Sequence, residues 1–438
     1  MIDIQLVRRD PDGVRAALAR RGEASDLDRL IASDSRWRSV TGRRDELRAR
    51  IKSLSRDVAD ARRAQDTGRA EELAAQSRAL GQEEKPLDAE VAALEAERRE
   101  LLLEIPNLPD PEVPDGTGPA DNVVRRWWSP GPGGEGRPEP PDPSAYGPHQ
   151  RVPHWEIGAQ LGLLDLERGS KLSGSMFPVY RGMGARLLRA MESLALDRHA
   201  DAFEEIRPPT LVRTDTMVGS GQLPKFADDA YNIEGDDLWA IPTSEVPLAS
   251  LYRGEILAED DLPVRLTAAT ACFRREAGAA GRDTRGVLRV HEFDKVELFA
   301  YTTPGQAGEM FDEIVGRAEG LLRELGLAYR VVDLCAGDLG QASARTYDLE
   351  VYAPGTDQWL EVSSVSWCTD YQARRANIRY RPADGGGPAF VHTLNGSGLA
   401  WGRPWAALIE TGRQPDGSVR LPESLRPYLG GVAEIPVP

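Results

Sequence analysis

Cysteine is scarce: the 438 residues hold only Cys272, Cys335 and Cys368, far apart and in no CxxC pair. Their odd number and spacing argue against a disulfide framework. The five histidines, His149, His154, His199, His291 and His392, have no metal-ligand spacing with the cysteines or with each other, so no zinc site is expected. No run of eighteen apolar residues occurs, which leaves nothing to span a membrane and no membrane partner. The start, Met1-Ile2-Asp3-Ile4 and then Arg8-Arg9-Asp10, lacks the apolar core and cleavage site of a secretory signal. Lysine is short as well, at 52, 85, 171, 225 and 295 alone. With abundant Ala, Gly and Pro, that bias reads as the composition of a GC-rich genome, and the arginine excess carries little functional weight. We expect a cytoplasmic protein.

What is present exceeds one hydrophobic core: this length suggests two domains and a linker. A net charge of −16 argues against a nucleic-acid binder as a whole. A small basic element on an acidic body can still hold a polyanion, because local contact charge decides.

Residues 27–104 supply such an element. Val40, Leu47, Leu54 and Ala61 recur every seven residues beside Trp37, Ile51 and Val58; after Asp66-Thr67-Gly68 follow Leu73, Leu80, Leu87, Leu94 and Leu101. Two heptad series joined by a short turn predict an antiparallel helical hairpin, with Pro86 kinking or interrupting the second helix. Residues 27–64 carry eleven Lys/Arg against six Asp/Glu, and residues 69–104 carry five against ten. Opposite charge lets the helices attract one another; it also lets Arg43, Arg44, Arg48, Arg50 and Lys52 face phosphates. Ile105-Pro106-Asn107-Leu108-Pro109 ends the hairpin. The expected organisation is an N-terminal domain over 1–110, a Pro/Gly-rich linker over 111–151 with its densest stretch at 129–148, and a larger domain over 152–438 in which strand-like and helical patterns alternate.

Three segments of the larger domain carry chemistry. Gly184–Pro209 reads as a helix running into Ile206-Arg207-Pro208-Pro209. Cys272-Phe273-Arg274-Arg275-Glu276 precedes a Gly/Arg-rich loop and then Val290-His291-Glu292-Phe293-Asp294-Lys295-Val296-Glu297. This second segment resembles the Phe-Arg-x-Glu motif of class II aminoacyl-tRNA synthetases, and the resemblance implies a carboxylate attacking the α-phosphate of ATP, with the Arg274 fork neutralising the charge that builds on oxygen. Glu276 can accept from an adenine amino group, and Phe293 can stack on the base. Thr393-Leu394-Asn395-Gly396-Ser397-Gly398-Leu399-Ala400-Trp401-Gly402-Arg403 is a Gly-rich entry to a helix bearing a cation for the ATP tail. A bare Arg-x-Glu is more often a surface ion pair, and a lone Gly-rich loop is weak. In this order and spacing the three segments resemble the motifs of class II aminoacyl-tRNA synthetases.

The likeness narrows to bacterial-type seryl-tRNA synthetases through several further runs. They are Val152–Gly158, Lys171–Ser175, Leu223–Phe226, Ile241–Leu248, Ala277–Gly286, Glu361–Ser364, Thr369–Arg375 and Arg426–Gly431. The resemblance covers nearly the whole chain. It implies an α/β fold in the broad sense (α+β): the helical hairpin as a coiled-coil arm, plus a catalytic domain built on an antiparallel sheet flanked by helices. It implies ATP-dependent formation of seryl-adenylate and transfer of serine to tRNA(Ser), and possibly to tRNA(Sec), by a homodimer joined through the Gly184–Pro209 region. By position, Thr243, Glu245, Glu297 and Ser397 match serine contacts. Arg274, Arg275, Glu276, Val290, Phe293, Glu361, Val362, Ser363, Ser364 and Arg403 match ATP contacts, with Arg274, Glu276 and Arg403 catalytic. Glu361 and Ser364 match the ligands of a Mg²⁺ ion.

The match departs at Trp367, where the family usually has Asn, at Met176 and Pro178, and at Trp401 and Trp405, where smaller residues are usual. Bulk there either trims the pocket or packs a neighbouring core; we expect core packing for Trp405, while for Trp367 core packing and a tighter or differently shaped pocket stay equally open. The competing readings are a duplicate synthetase serving antibiotic self-resistance or seryl-tRNA supply to a biosynthetic pathway, and a non-catalytic paralogue that binds tRNA or protein. An aminoacyl–carrier-protein ligase is disfavoured by the long arm.

Overall fold

The computed structural model describes residues 1–22, 26–131, 136–277 and 285–438. Residues 278–284 of the Gly/Arg-rich loop and 132–135 of the Pro/Gly-rich stretch lie outside these. The chain divides into two compact units.

The unit of Ile4–Arg15 and Ala24–Pro106 is dominated by helices α1 (Leu27–Arg63) and α2 (Thr67–Glu104). This is the expected hairpin. Asp66 caps the second helix by accepting from the Arg69 N–H at 3.0 Å. Leu73, Leu87, Val91, Leu94 and Leu101 are buried along α2, and Trp37, Val40, Leu47, Ile51 and Leu54 are half-buried along α1. Helix α2 runs through Pro86 without interruption. One N–H···O bond is missing there, but Leu87 and Val91 beside it are held in the seam. The charge asymmetry resolves into two groups. Arg36 pairs with Glu90, and Arg48 with Glu84 and Asp88, each at 2.5–2.8 Å across the hairpin, while Arg44 approaches Asp88 at 3.9 Å. Arg43, Arg50 and Lys52 are exposed.

The other unit is built on a sheet of nine strands among the described residues. In chain order they are β1 (Val123–Pro130), β2 (Gly136–Arg137), β3 (Glu204–Glu205), β4 (Val264–Phe273), β5 (Glu292–Thr302), β6 (Tyr329–Asp333), β7 (Arg345–Ala353), β8 (Gln358–Trp367) and β9 (His392–Ala400). Their spatial order is β2-β1-β6-β7-β8-β9-β5-β4-β3, antiparallel throughout except for β3 with β4. Around it lie α3 (His154–Gln160), α4 (Met183–His199), α5 (Ala307–Glu324), α6 (Tyr371–Ala376) and α7 (Gly402–Gly412). The span 111–151 is therefore not a linker throughout. Within it Val123–Trp128 pair with β6, where Trp128 stacks on Tyr329 at 5.6 Å. The Pro and Gly residues from 129 onward say nothing about the Val/Trp run just before them.

One face of the sheet packs against α5: a Cβ at Gly396 would meet Ile314 of that helix at 2.4 Å, so only glycine fits. The opposite face is polar and open. In a regular strand, residues three apart point to opposite sides. A bulge at Val362, opposite the Leu349–Glu350 step, lets Glu361 and Ser364 share the open face.

Candidate active site

The open face forms the floor of a cavity of about 320 Å³. Strand β5 presents Phe293 and Lys295, β8 presents Glu361 to Ser364 and Ser366, β9 presents Asn395 and Ser397, and α7 brings Arg403. Thr243, Glu245, Arg274, Glu276 and the run Val287–Val290 complete the wall. A second cavity of about 400 Å³ shares Thr243, Glu245, Arg274 and Glu276 and extends towards Gln341, Ser343 and Cys368.

At one end the charged groups are arranged around an aromatic ring. The Arg274 guanidinium sits 5.1 Å from the Phe293 ring centroid, and Glu276 pairs with Arg289 at 2.7 Å. Arg403 donates from Nη1 to the Glu361 carbonyl at 2.7 Å and from Nε to the Leu288 carbonyl at 3.1 Å. Its guanidinium is also 3.5 Å from the Glu361 carboxylate.

At the other end lies a compact polar cluster. Lys295 Nζ donates to the Thr243 hydroxyl at 2.8 Å and is ion-paired to Glu297. Thr243 donates to Glu297 at 3.3 Å, and Asn395 donates to the other carboxylate oxygen at 3.4 Å. Glu245 accepts from Gln372 of α6 at 2.6 Å. Burial and the neighbouring Glu297 charge push the Glu245 carboxyl up to about 7, against the pull of Lys295 and Gln372.

Twelve of the fourteen positions singled out in the sequence line the cavity: Thr243, Glu245, Arg274, Glu276, Val290, Phe293, Glu361, Val362, Ser363, Ser364, Ser397 and Arg403. Glu297 lies beneath the floor, fully buried, and reaches the cavity only through Thr243, Lys295 and Asn395. Arg275 is not brought to the cavity: its side chain is exposed, and its N–H donates to the Asp229 carbonyl. On alternating backbone the residue after Arg274 points away. Lys295, Asn395 and Gln372 were missed. Strand alternation reveals the first two, since Lys295 lies midway between Phe293 and Glu297 and Asn395 two residues before Ser397. Gln372 lies within the Thr369–Arg375 run, but nothing in the sequence links it to Glu245, which only the placement of α6 does.

Of the two readings of Trp367, the structure takes core packing. Ser364 and Ser366 face the cavity, whereas Val365 and Trp367 face the core side. There the Trp367 indole donates to His392 Nδ1 at 3.2 Å. Trp405 is buried in the core as expected, edge-on to Tyr180 at 5.2 Å. Trp401 is also buried and lines, with Pro178, a separate recess of about 210 Å³ on which Phe293 also borders. The Met176 carbonyl accepts from the His291 N–H at 3.0 Å, and its side chain does not line the main cavity.

For a divalent cation the donors are oxygen atoms. Among the described residues no group of three or more His, Cys, Asp or Glu side chains could hold a metal ion. Glu361 and Ser364 nevertheless suit Mg²⁺, which keeps several waters and shares its coordination with phosphates. Asp348 lies opposite Ser364 on the neighbouring strand. One of its carboxyl oxygens is buried without a partner among the described residues, and burial with the Glu361 charge raises its pKa well above the ordinary range. Such excess buried oxygen favours a nearby cation.

Residues 228–412 match the family model of the tRNA synthetase class II core domain (G, H, P, S and T), and residues 1–109 match that of the seryl-tRNA synthetase N-terminal domain. The serine–tRNA ligase of Gemmatimonas aurantiaca is 48% identical over 98% of this chain and 99% of its own. The chain belongs to the seryl-tRNA synthetase family. The seryl-tRNA synthetase of Pyrococcus horikoshii, solved in complex with ATP, superposes with a TM-score of 0.89 at 36% identity, covering 100% of both chains. The cytoplasmic serine–tRNA ligase of Naegleria fowleri, solved with AMP, gives 0.85 at 30% identity, covering 100% of this chain and 99% of its own. The arm and antiparallel sheet are thus those of this synthetase family.

Proposed function

We propose that the chain activates L-serine with ATP and transfers the seryl group to the 3′ end of tRNA(Ser). The observation that carries this is one cavity in which Arg274, Phe293 and Arg403 face the same space as Thr243, Glu245 and Ser397. The serine–tRNA ligase names of the full-length relatives support this reading and lend nothing to a duplicate with another role or a non-catalytic paralogue.

In the first step a serine carboxylate oxygen attacks the α-phosphorus, the bond to the bridging oxygen of the β-phosphate breaks, and pyrophosphate leaves. No general base is needed, because the nucleophile is already ionised. Arg274 neutralises charge on the α-phosphate while Phe293 carries the adenine. Arg403, fixed to Leu288 and Glu361, meets the rest of the phosphate chain. Glu361 and Ser364 would hold Mg²⁺, which supplies charge neutralisation to the phosphates. Among the described residues Glu245 is the cavity carboxylate with no ion pair of its own, so it takes the serine ammonium. Thr243, Asn395 and Ser397 then surround the hydroxyl. A site whose buried polar groups need that hydroxyl discriminates against alanine. In the second step a ribose hydroxyl of the tRNA end attacks the seryl carbonyl and AMP leaves.

Tertiary contact with the tRNA falls to the exposed basic residues of α1, and the working form is a cytoplasmic homodimer joined through Gly184–Pro209. Serine-dependent ATP–pyrophosphate exchange, followed by charging of a tRNA(Ser) transcript, tests the reading. Exchange with alanine at a rate near that with serine would overturn it.

A further inference from the structure

His154 and Glu410 are both fully buried. The His154 N–H donates to Glu410 Oε1 at 2.9 Å, and His154 Nδ1 lies 2.9 Å from the same oxygen. A carboxylate only accepts, so Nδ1 carries the ring proton and Nε2 has a free lone pair. That lone pair receives the Val287 N–H at 3.1 Å. Glu410 Oε2 accepts from the Gly355 N–H at 2.9 Å. Each of these links leads to the nucleotide end of the cavity. Val287 opens the run Val287–Val290, all of which lines it. Gly355 lies in the turn before β8, which carries Glu361 and Ser364. Glu410 itself sits on α7, the helix of Arg403. The backbone leaves room for nothing else: Gly286 has a φ of +68°, and a Cβ there would fall 2.1 Å from His154 Nε2.

We infer that His154, oriented by Glu410, is a positioning residue for the nucleotide. Its Nε2 fixes Val287 and so sets where Leu288, Arg289 and Val290 meet the ligand. The inference rests on the reading of this end as the ATP site. His154 touches no substrate. It acts through the backbone of 287–290, and through Leu288 on Arg403, whose Nε binds the Leu288 carbonyl.

Two substitutions separate its two hydrogen bonds. In His154→Asn the amide stands where Nδ1 stood, so the Glu410 contact survives and the Val287 acceptor is lost. In His154→Gln an oxygen reaches the place of Nε2 and restores that acceptor. ATP affinity of the free enzyme is measured by equilibrium dialysis, and the KM values for ATP and serine by pyrophosphate exchange. Leaving the Val287 N–H buried and unpaired should weaken ATP by about tenfold or more. The serine KM at saturating ATP should change less than about twofold. His154→Gln should recover most of the ATP affinity, and Gly286→Ala, which crowds Nε2, should weaken ATP as His154→Asn does. ATP affinity unchanged in both His154→Asn and Gly286→Ala overturns the inference, as does an equal loss for ATP and serine. If His154→Asn does not fold, Gly286→Ala and the dialysis measurement decide. A wild-type enzyme that fails to bind ATP would instead overturn the reading of the cavity.

Discussion

The side-chain amide nitrogen of Gln372 donates to the Glu245 carboxylate at 2.6 Å and to the Ser220 carbonyl at 2.8 Å. With the Thr393 hydroxyl donating to its oxygen at 2.7 Å, the orientation of the amide is settled by its neighbours. Glu245 is thereby held facing the cavity in the form that accepts hydrogen bonds. It titrates near neutrality because its burial beside Glu297 opposes ionisation.

Serine binding should therefore depend on pH. With Glu245 at about 7, its ionised fraction falls about tenfold from pH 8 to pH 6, and the serine KM should rise by about the same factor. Gln372→Leu removes a group that favours the ionised form, so the inflection should move to higher pH. A serine KM flat across this range would remove Glu245 from the ammonium site. The sign for stability follows from the same shift. The folded form binds the proton more tightly than the ordinary value of 4.5, so Glu245 weighs against the fold increasingly as pH rises from about 4.5 to 7. Thermal unfolding should find Glu245→Gln more stable than wild type at pH 8 and little different at pH 4.

Arg274→Ala should lower serine-dependent pyrophosphate exchange by about a hundredfold or more, as expected for a cation aimed at a transferring phosphoryl group. The fold should persist, because among the described residues the only hydrogen bond from its side chain is a long one, 3.4 Å to the Pro242 carbonyl. A fall of less than about tenfold, with an unchanged melting curve, would move the α-phosphate contact to another residue.

On the arm, the paired and unpaired cations should behave differently. Charge reversal at Arg43, Arg50 and Lys52, which are exposed, should lower kcat/KM for tRNA charging and flatten its salt dependence by nearly one power of salt concentration per lost phosphate contact. Adenylate formation should be unaffected. Reversal at Arg48, which pairs with Glu84 and Asp88, should mainly lower hairpin stability. Removing residues 27–104 should spare pyrophosphate exchange and cripple charging. A truncated enzyme that charges tRNA with near-normal kcat/KM would deny the arm this role.

Trp367→Asn should leave the serine KM and inhibition by a bulky seryl-adenylate analogue within about twofold, because the indole faces the core and not the ligand. Its cost should appear in unfolding, at about 1–3 kcal/mol for a lost partly buried aromatic. A clear gain in inhibitor sensitivity would place Trp367 at the pocket after all.

The sequence alone determined the hairpin, because heptad spacing and opposite helix charges are local properties that survive without any knowledge of the rest of the chain. It also marked most of the residues that line the cavity, since Phe-Arg-x-Glu and the Gly-rich entry to a helix are short segments with their chemistry written in adjacent positions. Strand alternation, followed through, would have added Lys295 and Asn395, but it leaves Trp367 open: counted from Ser364 the indole turns away from the pocket, and counted from Glu361 it turns towards it. The bulge at Val362 could not be read this way. It exists only in the pairing of β7 with β8, and without it Glu361 and Ser364 would face opposite sides. The same holds for Gln372 on Glu245 and for His154 between Glu410 and Val287, contacts that span 127, 256 and 133 residues of sequence. A hydrogen bond needs its partners within about 3 Å in space, and which distant residues meet that condition is decided only when the sheet closes and its helices pack.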